Sequence, residues 1–369
     1  MARFETDNAP AGRLLSLDAF RGFTMLLLLA EGTHLYWAIL RSTPEGSLLH
    51  SVATQFTHHP WNGLRFWDLV QPAFMFIVGV ALPFAVAKRK QLGMSEARIA
   101  GHVLYRALVL LLLGVGLHSV YAGRLVWELW NVLAQLAIAY PLAFLLMRYR
   151  ARTQIVASIA LLLLTELLYR QWPVPGFDQA FVQAHNFGAW MDLLLMGKLN
   201  SDGWVAINCF PTAAHVIWGV LAGQLLMSDL PAAKKIQRLI TFGAILVGVG
   251  YALDPITPII KRIATSSFVI VSAGWCLLAL ALFYWLIDVL GGCRWAFPGV
   301  VVGMNSIFIY LLGETLAPQW LNPTVAIFTE GFFWWLGAGL LAVFSALVVL
   351  GLEFGLCYWL YRRQIFIRI

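Results

Sequence analysis

Charge is what this sequence has least of. Only 12% of its 369 residues are Asp, Glu, Lys or Arg, while 60% are hydrophobic, and the mean hydropathy is +0.77. A soluble domain carries about 25% charged residues. So few charges cannot cover a water-facing surface, which excludes a soluble domain of appreciable size. Cysteine is sparse too. Cys209, Cys276, Cys293 and Cys357 each sit in or beside an apolar run with no CxxC spacing, so neither a disulfide framework nor a cysteine metal site is indicated. The histidines lack a third ligand at suitable spacing, and no metal is expected. Met1–Gly12 is polar, without an apolar core or a small-residue cleavage site, and is not read as a signal peptide. Internal repeats, low-complexity tracts and an inverted pair of broken helices are also missing.

What is present is a succession of long apolar stretches. They lie near 17–40, 64–87, 104–121, 126–147, 154–171, 204–227, 238–254, 266–290, 297–315 and 331–360, each comparable to the roughly 20 residues a bilayer-spanning helix needs. The segment 316–330 is too short to cross and reads as re-entrant. The expected fold is therefore an all-α integral membrane protein, a polytopic bundle of about 10–11 transmembrane helices. A short cytoplasmic segment is expected over 1–16 and one transmembrane domain over 17–369. Alternate loops place 18 of the 25 Lys and Arg residues on one side and 7 on the other. The richer side is expected to be cytoplasmic, with both termini inside. The net charge of +7 is thus a topology signal, and nucleic acid is not an expected partner. Of the two longer outward segments, 41–63 and 172–203, the second carries helical apolar spacing around Trp190 and is expected to lie flat on the interface.

Ionisable groups at membrane depth are costly and raise a functional question wherever they occur. Asp18 and Arg21 share a helix face at the inner end of the first span, as an orienting salt bridge or a binding pair. Glu31 and His34 follow near its outer end. Asp68 and Gln71 share a face just inside the second span, as helix glue or as site residues. Gln135, Asn208, His215, Asn305 and Ser306 also lie within apolar runs, Asn208 and His215 beside Pro211. Glu166, Asp288 and Glu314 read as charges near helix ends. Six of the eight histidines fall on the outer half. His58 and His59 stand there beside Trp61, immediately before the span that bears Asp68. An imidazole in that position suits a general base or an acyl acceptor.

Six blocks carry a resemblance: SLDAFRGFTML at 16–26, HHPWNGLRFWDLVQPAFMFIVGVALPF at 58–84, NVLAQLAIAY at 131–140, INCFPTAAHVIWGVLAGQLL at 207–226, PIIKRIATSSFVIVSAG at 258–274 and GMNSIFIYLLGE at 303–314. In order and content they resemble the heparan-α-glucosaminide N-acetyltransferase family, in its bacterial branch. The resemblance implies a transmembrane acetyltransferase of the bacterial inner membrane. It would move an acetyl group from cytoplasmic acetyl-CoA to an extracytoplasmic amino sugar or glycan, with membrane lipid around it. The family's histidine lies three residues before the Trp of the Trp-x-Gly block, which here is His58. Counting from the shared Arg-Gly, the position of the family's asparagine falls on Glu31 or Gly32, and Glu31 is the candidate for its polar role.

On that reading Asp68 orients His58 and Asn305 stabilises an oxyanion. Arg21, Arg106 and Arg238 meet the CoA phosphates, with Gln135 along the donor's path. Trp61, Asn62 and Ser306 face the acceptor. A sugar transporter, a non-catalytic partner in envelope assembly and an acyltransferase with another donor are the rival readings. Whether the chain works as a homodimer is not legible in the sequence.

Overall fold

A computed structural model describes residues 14–367, and every regular element among them is helical. The expected segment 1–16 lies outside the described residues except for its last three, as do Arg3, Arg13 and Arg368. In chain order the α-helices are α1 (Leu15–Gly32), α2 (Leu35–Ser42), α3 (Leu48–Thr54), α4 (Val70–Gln91) and α5 (Glu96–Ala122). There follow α6 (Val132–Leu146), α7 (Ala151–Gln171), α8 (Phe187–Met196), α9 (Cys209–Met227) and α10 (Ala232–Leu253). The last five are α11 (Ser266–Phe283), α12 (Cys293–Gly303), α13 (Ser306–Glu314), α14 (Asn322–Phe333) and α15 (Ala338–Arg362).

Among the described residues, seven helices are long and apolar enough to cross a membrane, or nine if each of two bent pairs makes one span. The protein is therefore a multi-pass helical membrane protein. The bent pairs are α1–α2, at 58°, and α12–α13, at 72°. The first break falls at Thr33–His34, where His34 adopts a left-handed conformation with φ of 63°. The stretch expected to span over 126–147 holds only the 15 residues of α6. Asn131 starts that helix late: its Oδ1 accepts from Ala134 N at 3.0 Å, and its Nδ2 donates to Gly114 O on α5 at 3.0 Å. The residues before it, 125–130, form no regular element. Segment 316–330 forms a wide turn, Ala317–Leu321, leading into the 12-residue α14.

Two seams without side chains hold the bundle together. On α4 and α9, Gly79 and Gly219 face one another, and a Cβ on Gly79 would lie 3.0 Å from the Cα of Gly219. On α1 and α12, Gly22 and Gly299 meet backbone to backbone in the same way. Such small residues let helices approach closely where lipid supplies no hydrophobic drive for association. Apolar side chains of α4, α5, α6, α9 and α13 pack into the largest buried cluster around Met75, Leu133 and Val216. Buried polar groups are tied across helices. His215 Nε2 lies 2.8 Å from Ser272 Oγ, joining α9 to α11, and Trp218 Nε1 donates to Ser158 Oγ on α7 at 2.8 Å. Asp288 accepts from the backbone of Ser16 at 3.3 Å.

Candidate active site

The local sequence before α4 builds a rigid loop around one carboxylate. Phe66–Leu69 forms a single 3₁₀ turn whose start is capped by Asp68. Asp68, 1% exposed, accepts at Oδ2 from Arg65 N at 3.0 Å and from His59 N at 3.2 Å. Its Oδ1 lies 3.0 Å from His58 Nδ1. The Arg65 guanidinium donates to Thr57 Oγ1 at 2.8 Å and to His58 O at 2.9 Å, which pins the chain on both sides of the imidazole. Gly63, at φ +140°, leaves room for the neighbouring ring, since a Cβ there would meet His59 Nε2 at 2.6 Å. His59 thus packs over the loop while His58 points into the protein.

A second loop, between α10 and α11, closes on the first. Gly63 N donates to Ile259 O at 2.8 Å, and the Arg262 guanidinium donates to Pro60 O at 2.7 Å. Lys261, only 7% exposed, brings Nζ to 3.2 Å from His58 Nδ1 and 3.6 Å from Asp68 Oδ1. Nζ also stands 5.4 Å from the centroid of the Trp204 ring. Both polar contacts of the imidazole are thus made by Nδ1, and His58 and Lys261 border one cavity. Burial, reinforced by the Lys261 charge and opposed by the hydrogen bond to Asp68, pushes the His58 imidazole down to about 4. Burial likewise lowers the Lys261 ammonium to about 8, against the pull of Asp68 and Glu31.

That cavity, about 170 Å³, is lined by His58, Lys261, Glu31, Gln71, Glu314 and Tyr310 and walled by Trp67, Trp130 and Trp204. Glu314 Oε2 accepts from Tyr121 OH at 2.5 Å. Trp130 is fixed by donating to Asp192 Oδ2 at 2.7 Å. A second cavity, about 200 Å³, opens toward the other end of the bundle and is lined by Arg21, Arg106, Tyr140, Ser306 and Ile367. The Arg106 guanidinium sits 4.7 Å from the centre of the Tyr140 ring. Arg21 lies 3.6 Å from Asp18.

Phe74 borders both cavities. One stripe of α4, from Gln71 through Phe74 and Val78 to Ala85, lines the two in succession. At 1.5 Å per residue that stripe covers about 21 Å, against about 30 Å of bilayer hydrocarbon. Each cavity alone is smaller than the roughly 300–1,000 Å³ of a small-molecule site, and the pair together reaches the lower end of that range.

The residues expected from sequence divide between these places. His58, Asp68 and Glu31 are brought together at the first cavity. Arg21 and Arg106 meet at the second. Gln135, 1% exposed, bonds to Gln71 between α6 and α4, near the level of Phe74. Six placements differ from expectation, since Gln135, Trp61 and Asn62 line neither cavity, as is true of Asn305 and Arg238, and Ser306 lines the other one. Ser306, expected at the acceptor end, lines the arginine cavity at the break between α12 and α13. Asn305 is not among the residues lining the His58 cavity: its Nδ2 donates to Ile365 O at 3.1 Å and its Oδ1 accepts from Ile367 N at 2.8 Å. Its amide is thus spent on the C-terminal segment rather than on an oxyanion beside His58. Arg238 is exposed on α10 and borders neither cavity. Trp61 donates from Nε1 to Phe181 O at 2.8 Å, fastening the 172–203 segment over the loop, and Asn62 is exposed beside it. Lys261 and Trp204 were missed, and Glu314, read as a charge near a helix end, lines the cavity. Lys261 counted only as one of seven basic residues on the sparse side, though that scarcity was itself a signal.

A family sequence profile described as "Heparan-alpha-glucosaminide N-acetyltransferase, catalytic" matches residues 13–252. The human protein named heparan-alpha-glucosaminide N-acetyltransferase is 24% identical over 367 residues, covering 81% of this chain and 52% of that protein. The mouse protein of the same name is 23% identical over 380 residues, covering 85% and 55%. The chain spans about half the length of these relatives. The matched region contains His58, Asp68 and Arg106 along with the helices that carry both cavities up to α10, and the chain belongs to the heparan-alpha-glucosaminide N-acetyltransferase family.

Proposed function

We propose that this chain is a transmembrane acetyltransferase, formed by one domain over 17–369, that passes an acetyl group from cytoplasmic acetyl-CoA to an amino sugar or glycan on the far side. The reading rests on one observation: two cavities meet at Phe74, with arginines at one end and His58 clamped at the other. The anionic nucleotide of CoA is matched by Arg21 and Arg106. Its narrow arm then runs along α4, past Gln71 and Gln135, and brings the thioester to His58. The charge distribution supports the orientation, with the arginine end and both termini facing the cytoplasm of a bacterial inner membrane.

His58 acts through Nε2. In its neutral form, with Nδ1–H donated to Asp68, Nε2 carries the lone pair. That pair attacks the thioester carbonyl, the C–S bond breaks, and CoA leaves as a thiolate that takes up a proton. The acceptor amine then attacks the acetyl carbon, a C–N bond forms, and Nε2 departs with its electron pair. The amine's proton leaves through the cavity. A base works best when its pKa lies near the working pH, and a ring held near 4 holds a proton poorly at neutrality. Glu31, across the cavity, faces the incoming amine.

The test uses purified protein in sealed liposomes, with acetyl-labelled CoA supplied on one side only and glucosamine on the other. Labelled N-acetylglucosamine should accumulate on the side opposite the donor. Uptake of sugar without thioester cleavage would replace this reading with a transporter.

A further inference from the structure

An imidazole Nδ1 has a single in-plane position, occupied either by a proton to donate or by a lone pair that accepts. At His58 two groups crowd that position. Asp68 Oδ1, at 3.0 Å, can only accept, and the Lys261 ammonium, at 3.2 Å, can only donate. Asp68 alone would favour an imidazolium, since a buried carboxylate beside a histidine stabilises its charged form. Lys261 opposes that. A second proton on the ring would place two cations within van der Waals reach of one another, away from bulk water, where repulsion is strongest.

We propose that Lys261 is a positioning residue for His58: its ammonium, wedged against Asp68 at the Nδ1 side of the ring, keeps the imidazole uncharged and leaves Nε2 free toward the cavity. This rests on the role given to His58 above. Trp204 fixes the ammonium by lying under it, and the loop hydrogen bonds through Gly63 and Arg262 carry Lys261 to the ring from 203 residues away in sequence. The other charged or titratable groups facing the pair are named by element. Arg65 and His59 lie on the loop of His58, and Arg262 on the loop of Lys261. Glu31 stands across the cavity on α1, with Glu314 beside it on α13. Asp68 and, behind it, Glu31 offset part of the lowering that burial imposes on the Lys261 ammonium. If Lys261 merely neutralised Asp68 and filled space, its loss would leave the proton affinity of His58 where it is.

The test reads His58 directly. Full-length protein in detergent is treated with diethyl pyrocarbonate, which acylates an imidazole only in its uncharged form, and His58 is followed by peptide mass spectrometry across pH. In the unaltered protein the acid limb should centre at about 4. In Lys261→Met it should move up by about one pH unit or more, a tenfold change in proton affinity, whereas Lys261→Arg should stay near the unaltered protein. Lys261→Gln serves in place of Met should the latter not yield monodisperse protein. A limb that fails to move in the uncharged variants, or that moves equally in the Arg variant, overturns the proposal. The modification proceeds whether or not acetyl is transferred, so this result stands apart from the fate of the acetyltransferase reading.

Discussion

His58→Ala removes the one imidazole that faces the cavity, and the surroundings predict a clean loss of chemistry. Asp68 keeps the backbone N–H groups of His59 and Arg65 and the ammonium of Lys261. No buried carboxylate is therefore stranded by the change, and the loop stays pinned by Arg65 through Thr57 and the His58 carbonyl, which alanine retains. The fold should survive. The rate should not: a positioned acid–base group contributes typically about 10²–10⁴-fold, and a covalent acceptor at least as much. At 1.36 kcal/mol per decade that is roughly 3–5 kcal/mol of barrier. His59→Ala provides the contrast. Its backbone N–H still reaches Asp68, and what is lost is a ring packed over Gly63. Acetyl transfer from labelled acetyl-CoA to glucosamine should fall at least about a hundredfold in His58→Ala, with CoA affinity kept, and should remain largely intact in His59→Ala. Reversed effects would move the chemistry to the neighbouring ring, and full activity in both would remove histidine from the mechanism.

Three further outcomes follow from the same structure. Arg106→Ala should weaken CoA binding at least about tenfold, the scale of a lost charge-assisted hydrogen bond, while Arg238→Ala, on an exposed face of α10, should leave affinity unchanged in the same titration. A cysteine at exposed Glu45 should react with an impermeant thiol reagent in intact cells, and one at exposed Gln91 should react only after permeabilisation; the opposite pattern would invert the direction of transfer. Gly79→Leu should cost about 1–3 kcal/mol or more through overpacking against the α9 backbone and lower the thermal midpoint. Gly101→Leu, which meets nothing within 4 Å, should be silent.

The membrane class was legible because composition alone dictates it, and the long spans because their apolar runs are uninterrupted. Breaks were harder to read. Nothing in LLLLAEGTHLYW announces that His34 turns left-handed, and the late start of α6 depends on an Asn131 bond to a carbonyl 17 residues away. At the site, His58 and Asp68 were legible because they lie ten residues apart within one recognisable block. Lys261 was not, because its role arises only when a loop 203 residues distant folds over the ring. The surroundings of Asn305 and Ser306 were not legible either, because they depend on a 72° bend between α12 and α13 and on the return of the C-terminal segment to Asn305.

The glycine seam between α4 and α9 limits how the two cavities can join. With backbone against backbone at Gly79 and Gly219, α4 has no side-chain layer to compress and no slack along which to slide. It carries Phe74, and the turn Phe66–Leu69 that holds Asp68 runs directly into its first residue, so a shift of the helix would also strain the carboxylate's contacts around His58. The remaining freedom is local to the divider. Phe74 sits five residues from the seam, and rotation about its own side-chain bonds changes the width of the passage without moving the backbone. On the proposed reading, the donor's arm has to pass one ring carried on a helix that is held fixed by its glycine seam.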